Sequence, residues 1–294
     1  MKRPKMETLS VVIVNWNAGQ ALHDCLASLF ASQFVGALEV LLVDNASTDG
    51  SQTRAARKYP GIKILQNAEN RGFAGGANQA LERVVGKLIL LLNPDAMLHP
   101  GTIPLLVDFM REHPDAAIVG PKLLNPDGTL QGSARRDPSP WTGLFGRDAP
   151  LTRLFPNNPV SRRELPGLSH AGDAPLEVDW VSGACLLVRR AAYEQVGDLD
   201  ERFFLFWEDA DWCRRFRAAG WKVYYLPTAV GTHQVGVSRV QRPLRSAIDF
   251  HRSAYRFYRK HHLSSPFHPM IIPLAAGLLI SLGSRVLQGV WARR

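Results

Sequence analysis

The sequence predicts an α/β fold with a mostly parallel central sheet flanked by helices. Within the first 120 residues, four β-branched or Leu-rich runs alternate with helical patterns, and every run ends in Asn or Asp. The chain has 294 residues, 46% of them hydrophobic and 21% charged, which suits one large core with a smaller appendage. The runs are continuously apolar, as expected of strands covered on both faces.

In order, the runs are LSVVIVN at 9–15, LEVLLVDN at 38–45, IKILQN at 62–67 and KLILLLNPD at 87–95. Between them ALHDCLASLFAS, TDGSQTRAARKY and AGGANQALERVV have helical spacing, giving a βαβαβαβ unit. A parallel sheet gathers its strand carboxyl ends along one edge, where ligands bind. The residues expected there are Asn15, Asp44 with Asn45, Asn67 to Asn70, and Asn93 with Asp95. Asn and Asp are also ordinary turn and cap residues. One such ending carries no message, but four alike point to a shared polar rim. From 135 to 175 the periodicity dissolves into a segment with seven prolines, expected to be a mobile functional loop. The apolar run VDWVSGACLLVRR follows, then a helix opening at EDADWCRRFRAAG and a strand WKVYYLP.

The net charge of +9 belongs to one end. Residues 239–294 hold ten Arg or Lys against one acid, Asp249, which leaves 1–238 balanced at 25 against 25. That distribution argues against nucleic acid as a partner, because a nucleic-acid-binding body spreads its cations over a docking face. Cys25, Cys185 and Cys213 are odd in number and lack metal-ligand spacing, so a reducing compartment without disulfides is expected. MKRPKMETLS leads straight into the first apolar run without the pattern of a signal peptide, and the expected location is cytoplasmic.

The tetrapeptide L-N-P-D occurs at 92–95 and again at 124–127. The first copy ends a fully apolar strand, where Pro94 stiffens the exit. Asp95 is thereby placed to bind Mg²⁺ or Mn²⁺, hard ions that prefer oxygen and bridge to phosphate. The second copy runs N-P-D-G between KLL and TLQ and fits a type I hairpin turn in which Asp127 needs no further role. NRGFAGGANQA at 70–80 sets Gly72, Gly75 and Gly76 before a helix. They either offer backbone N–H groups to an anion, with Arg71 at the mouth, or permit close helix packing. The segment is not G-x-G-x-x-G and does not follow the first strand, which weakens a dinucleotide-binding reading.

FLFWEDADWCRRF at 204–216 sets Glu208, Asp209 and Asp211 among aromatic residues. Acids at a helix start are explained by the macrodipole alone. Their company of Phe206, Trp207 and Trp212 suggests a sugar site, with rings against a pyranose and an acid as general base. GTHQVGVS at 231–238 presents His233 in a Gly-rich loop after a strand. A lone His is usually just a polar loop residue, and the metal site argued at Asp95 favours ligation.

Taken in order, VVIVNWN, LLVDNASTDGS, NRGFAGGANQA, LLLNPDA, WVSGACLLVRR, FFLFWEDADWCRRF and THQVGVS resemble the family 2 glycosyltransferases of GT-A fold, in particular the bacterial rhamnosyltransferase-like branch. The resemblance covers residues 8 to 238. It implies a nucleotide-diphospho-sugar transferase that moves a sugar to an acceptor hydroxyl with inversion. It places Asn15, Trp16 and Asp44 around the nucleobase and ribose, and Asn70 and Arg71 near the nucleotide. N-P-D at 93–95 matches the D-x-D position, with Asn93 in place of the first acid and Asp95 as metal-binding carboxylate. Asp209 matches the catalytic base of the E-D motif, Trp207 and Glu208 would orient the acceptor, and His233 would complete the Mg²⁺ or Mn²⁺ site.

The chain therefore divides into a catalytic domain at 1–238 and a C-terminal helical, membrane-associating extension at 239–294. In QRPLRSAIDFHRSAYRFYRKHHL, Leu244, Ile248, His251, Tyr255 and Tyr258 recur at helical spacing beside Arg245, Arg252, Arg256 and Arg259, as in a helix lying on an anionic membrane surface. The competing reading is a helix packed on the catalytic domain. MIIPLAAGLLISLG at 270–283 is shorter than the ~20 residues a bilayer needs, so an interfacial or re-entrant anchor is expected. The expected reaction moves L-rhamnose from dTDP-rhamnose to a polyprenyl-linked saccharide at the cytoplasmic face of the inner membrane. Its rivals are a UDP-hexose or UDP-galactofuranose donor, a nicotinamide-dependent oxidoreductase, and a non-catalytic membrane-associated binding protein.

Overall fold

In the computed structural model, residues 8–138, 165–170, 172–234, 236, 242–263, 265 and 267–291 are described. The four predicted strands are β1 (Thr8–Asn15), β2 (Ala37–Asp44), β3 (Lys63–Gln66) and β4 (Leu88–Leu92). They lie in the order β3-β2-β1-β4 and run parallel. The intervening helices are α1 (Gln20–Phe30), α2 (Ser51–Lys58) and α3 (Gly72–Leu81). The sheet continues past β4 through β10 (Cys185–Arg189), β6 (Ala116–Leu124) and β11 (Lys222–His233) to β5 (Ala96–Leu98). Short β8 (Leu176–Val178) pairs antiparallel with the start of β11, and β7 (Ala134–Arg135) with β9 (Trp180–Val181) forms a separate ribbon.

The sheet is mixed: β10 runs antiparallel between β4 and β6, while β6 and β11 return to the direction of β1. The carboxyl ends of β1, β2, β3, β4, β6 and β11 therefore share one edge, and β10 starts from it. Side chains alternate across the sheet as the strand period requires. Leu9, Val11 and Ile13 pack on one face with α1 and α4 (Thr102–Glu112), while Val12 and Val14 pack on the other with α3 and α7 (Glu208–Ala218). A short α5 (Pro166–Ser169) and α6 (Arg190–Val196) complete the body. The proline-rich stretch expected to be mobile lies largely outside the described residues, since 139–164 are not among them.

Two expectations change. His233 does not sit in a loop: it is the last residue of β11, which is twelve residues long. The register of β11 against β6 shifts between Leu226 and Val230, across Pro227, which has no N–H for the ladder. After that irregularity the strand pairs again and also meets β5, with His233 opposite Ala96. The basic helix α8 (Pro243–His261) is packed on the catalytic body, the reading the sequence ranked second. It buries His251, Ser253, Ala254, Phe257 and Tyr258, while Leu244 and Ile248 stay exposed.

Asp211 ties α8 down. This fully buried carboxylate meets Lys260 Nζ at 2.6 Å, His261 Nε2 at 2.7 Å and Arg215 Nε at 2.9 Å. Burial works against its charge, and these hydrogen bonds and cations outweigh burial, holding it below the usual carboxylate range. The last helix, α9 (Ile271–Trp291), extends beyond the predicted 270–283 and touches α8, where His251 Nε2 lies 3.1 Å from Ser281 Oγ. Among the described residues no helix is long and apolar enough to cross a membrane.

Candidate active site

The donor-side rim starts with two side chains that the structure places beneath it. Asn15 and Asp44 are fully buried. Asn15 Nδ2 donates to Asp44 Oδ1 at 2.7 Å and to Ser51 Oγ at 2.9 Å, and Asp44 Oδ2 accepts from Gln66 Nε2 at 2.6 Å and the Ser47 N–H at 3.0 Å. The pair sets the floor and locks the β1–β2–β3 ends together, and Asn15 Oδ1 is left buried without a partner. Trp16 is the next residue, and the Arg242 guanidinium, at the start of α8, sits 4.8 Å over its ring.

The glycines of N-R-G-F-A-G-G serve packing. Gly72 has φ +76°, and a Cβ there would collide with the Phe204 carbonyl; a Cβ on Gly76 would meet Val14 at 2.8 Å. The Gly72 N–H is taken by Asn70 Oδ1 at 2.9 Å and the Phe73 N–H by the Phe204 carbonyl at 2.8 Å. The helix start is thus bonded to protein at its first two donors. Arg71 is exposed and reaches Glu201 at 3.7 Å.

At the end of β4, the Asn93 N–H donates to the Ala184 carbonyl at 2.9 Å, and Pro94 is buried. The chain then enters β5, and Asp95 Oδ1 faces His233 Nε2 at 3.3 Å. β11 delivers His233 to this point by pairing with β5, and the Gln234 N–H donates to the Asp95 carbonyl at 2.9 Å. Both side chains are mostly buried, at 11% exposure each. One carboxylate oxygen and one imidazole nitrogen at this spacing suit a six-coordinate ion, whose neighbouring ligands at ~2.1 Å bond length lie roughly 3 Å apart. Among the described residues no group of three His, Cys, Asp or Glu surrounds the pair. Mg²⁺ and Mn²⁺ accept few protein ligands and complete their shell with water and phosphate, so the two residues fit such an ion.

Across the site, α7 begins with Glu208 and Asp209. Asp209 Oδ2 accepts the Gly183 N–H at 2.8 Å, and Oδ1 accepts the Ala210 N–H at 2.8 Å. Burial raises its pKa above the ordinary carboxylate value, and these backbone donors moderate the rise. Glu208 is buried more deeply, with Oε2 unpartnered; burial and the adjacent Asp209 charge push it well above the usual range. The chain enters α7 through Phe206 and Trp207 at φ +68° and +70°. Non-glycine residues there are strained by about 1–3 kcal/mol each. The strain is held by α8: Ser253 Oγ donates to the Leu205 carbonyl at 3.0 Å, and the Trp207 ring packs against Phe250, Phe257 and Tyr258 with centroids 5.1–5.9 Å away. Trp207 therefore presents its ring to α8, and its Nε1 is buried without a partner.

The Ser182–Ala184 turn joins the two halves. Consecutive residues bond the Asn93 backbone through the Ala184 carbonyl and the Asp209 carboxylate through the Gly183 N–H. Sequence reasoning missed three contributors. Gly183 has a signal, a glycine inside an apolar strand pattern, which marks close backbone approach. Asp211 was seen as an acid at a helix start without its α8 partners. Gln131, whose amide meets His233, carried no signal of its own.

The chain resembles known proteins in sequence and in fold. The family model described as Glycosyltransferase like family 2 matches residues 4–263. The chain is 34% identical over 267 residues to the N-acetylglucosaminyl-diphospho-decaprenol L-rhamnosyltransferase of Mycobacterium tuberculosis, covering 87% of this chain and 85% of the relative. Mannosyltransferase PcManGT from Pyrobaculum calidifontis, solved in complex with GDP-Man and Mn²⁺, matches with a TM-score of 0.60 at 18% identity, over 99% of this chain and 79% of that one. The crystal structure of S. aureus TarS 1–349 matches with a TM-score of 0.53 at 16% identity, over 95% and 81%. At those identities the likeness is one of fold, and the fold is GT-A.

Proposed function

The chain belongs to glycosyltransferase family 2, and within it we propose an inverting enzyme that moves L-rhamnose from dTDP-rhamnose to a hydroxyl of a lipid-linked saccharide. The observation that carries an inverting mechanism is the Ser182–Ala184 turn, which ties the Asp209 carboxylate to the end of β4 that bears Asp95. Asp209 takes the proton of the acceptor hydroxyl as its oxygen bonds the anomeric carbon, and the bond from that carbon to the diphosphate oxygen breaks on the opposite face. Its raised pKa makes it a stronger base than an exposed aspartate, and the two backbone N–H groups hold it in one orientation. Asp95 and His233 would hold Mg²⁺ or Mn²⁺, which when bound neutralises charge on the departing nucleoside diphosphate. Trp16, Asn70, Arg71 and Asn93 keep partly or fully exposed side chains on the donor side, and the buried Asn15 and Asp44 set the floor beneath them. Glu208 and Trp207 fix the entry to α7.

The sugar and the acceptor class follow the Mycobacterium tuberculosis relative, whose name is that of a rhamnosyl transfer to a diphospho-decaprenol-linked N-acetylglucosamine. A thermal-shift screen of nucleotide sugars with Mn²⁺ tests the donor, because a ligand that binds only the folded chain raises its melting temperature. dTDP-rhamnose and dTDP are expected to shift it more than UDP-sugars or NAD do. Equal or smaller shifts overturn the donor.

A lipid-linked acceptor also suits a peripheral place on the cytoplasmic face of the membrane. In support, α8 leaves Leu244 and Ile248 exposed beside Arg245 and Arg252, and α9 exposes Ile272, Leu279 and Ile280. Co-sedimentation with anionic vesicles should be lost in Leu244→Glu with Ile248→Glu; retention at the original level contradicts the peripheral reading.

A further inference from the structure

We propose that Gln131 is a positioning residue that fixes which nitrogen of His233 faces Asp95, and so turns the pair into a cation site. The proposal rests on the metal-assisted reading above. Hydrogen-bond direction along the second L-N-P-D hairpin carries it.

Asp127 is an acceptor, and it takes the Thr129 hydroxyl proton at 2.6 Å on Oδ1. Having donated there, Thr129 Oγ1 accepts from Asn125 Nδ2 at 2.8 Å. Asn125 must then turn Oδ1 toward Gln131, and it accepts Gln131 Nε2–H at 2.9 Å. The other Nε2 proton goes to the His233 carbonyl at 2.6 Å. With both amine protons committed to oxygen acceptors, among which the Leu124 carbonyl also lies 3.4 Å from Nε2, Gln131 can offer only Oε1 to His233 Nδ1, 3.1 Å away. A carbonyl oxygen there requires Nδ1 to carry a proton. The neutral ring therefore directs a lone pair from Nε2 at Asp95 Oδ1, 3.3 Å away. Lone pair facing carboxylate is repulsive when nothing lies between them and attractive around a shared divalent cation.

The residues that fix this direction are also held by backbone bonds. The Gly128 N–H donates to the Asn125 carbonyl at 2.9 Å, and the Gln131 N–H to the Leu123 carbonyl at 2.8 Å, so the hairpin that holds Asn125 and Gln131 is itself closed. The His233 carbonyl that fixes Gln131 belongs to the residue being oriented, so side chain and strand are set together.

The experiment uses the full chain. Long-range ¹⁵N–¹H spectra of the metal-free protein at alkaline pH read the tautomer of His233, and Mn²⁺ titration by electron paramagnetic resonance, alone and with dTDP, reads affinity. The expected result is a proton on Nδ1, a drop in Mn²⁺ affinity of about 10–100-fold in Gln131→Leu, and a smaller drop in Gln131→Glu, which restores an acceptor for Nδ1–H and loses the donor to the His233 carbonyl. A proton on Nε2 in the parent chain overturns the proposal without any variant, so a Gln131→Leu chain that fails to fold does not shield it. Unchanged Mn²⁺ affinity in a folded Gln131→Leu, or no Mn²⁺ binding by the parent even with dTDP, also overturns it. Mn²⁺ bound through His233 by a chain that transfers no sugar refutes the proposed function and leaves this inference standing.

Discussion

The two copies of L-N-P-D sit at matching places and differ in where the chain goes next. Each ends a strand at the carboxyl edge of the sheet, β4 for the first and β6 for the second. After the first copy the chain continues into β5, which pairs with the end of β11 and sets Asp95 against His233. After the second, Gly128 at φ +81° turns the chain back so that Leu130 bridges to Leu124, and Asp127 binds the N–H and hydroxyl of Thr129. The same four letters thus make a ligand and a buttress. Both copies act on one histidine, Asp95 from the Nε2 side and Asn125 through Gln131 from the Nδ1 side. Local sequence sets a turn, and the pairing of the residues that follow decides what its side chains reach.

That contrast can be broken at several points. Among changes near the two copies, Asp95→Ala should give the largest effect, a loss of about 10²–10³ in turnover together with loss of Mn²⁺ binding, while the chain melts near the parent temperature. Retained Mn²⁺ binding would move the metal site elsewhere. Gly183→Ala tests the turn between the halves. A Cβ there would lie 3.3 Å from Asp209 Cβ and 3.4 Å from its Oδ2, so the carboxylate must give way. Turnover should fall by about tenfold with Mn²⁺ affinity unchanged, since small displacements of a reacting group are costly; a parallel loss of Mn²⁺ affinity would show that the turn also shapes the metal side. Asp127→Ala should change turnover by no more than about twofold, because the residue is exposed and the His233 carbonyl still fixes the Gln131 amide. A loss as large as that of Asp95→Ala would erase the distinction between the copies.

The smallest effect concerns stability. Glu208 has a folded pKa above its unfolded one, so the folded state binds the extra proton between the two values and stability falls as pH rises through that window. Below the unfolded value the penalty is absent. Glu208→Gln should therefore melt at a higher temperature than the parent at pH 8 and close to it at pH 4. An advantage that shrinks toward alkaline pH would contradict the buried, unpartnered placement of this carboxylate.

The first half of the fold was legible because its strands are uniformly apolar and its helices amphipathic, so β1 to β4 and α1 to α3 fall where periodicity placed them. The polar rim was legible for a topological reason, since parallel strands must bring their carboxyl ends together. Strand β6 was harder: AAIVGPKLL carries a glycine and a proline, and only its KLL end was read as a segment. The length of β11 was hidden because Pro227 reads as a stop, whereas the chain passes the irregularity and pairs again. On α8, the predicted apolar positions Leu244 and Ile248 are exposed and Ser253, Ala254 and Phe257 are buried. Its inner face is set by the left-handed residues Phe206 and Trp207, which a pattern of hydrophobicity does not contain. Gln131 was invisible because its role depends on a hydrogen-bond direction assembled across 102 residues, from the hairpin to His233.

The most direct measurement of the central claim is single-turnover transfer from a nucleotide sugar by Asp209→Asn, with nucleotide affinity determined on the same preparation. The asparagine keeps the shape and one of the two backbone N–H contacts, that of Gly183 or that of Ala210, through its single carbonyl oxygen, and it cannot accept the hydroxyl proton as a carboxylate does. The account predicts a rate lower by about 10²–10⁴ with nucleotide affinity and melting temperature close to the parent's. Transfer at the parent rate would contradict it.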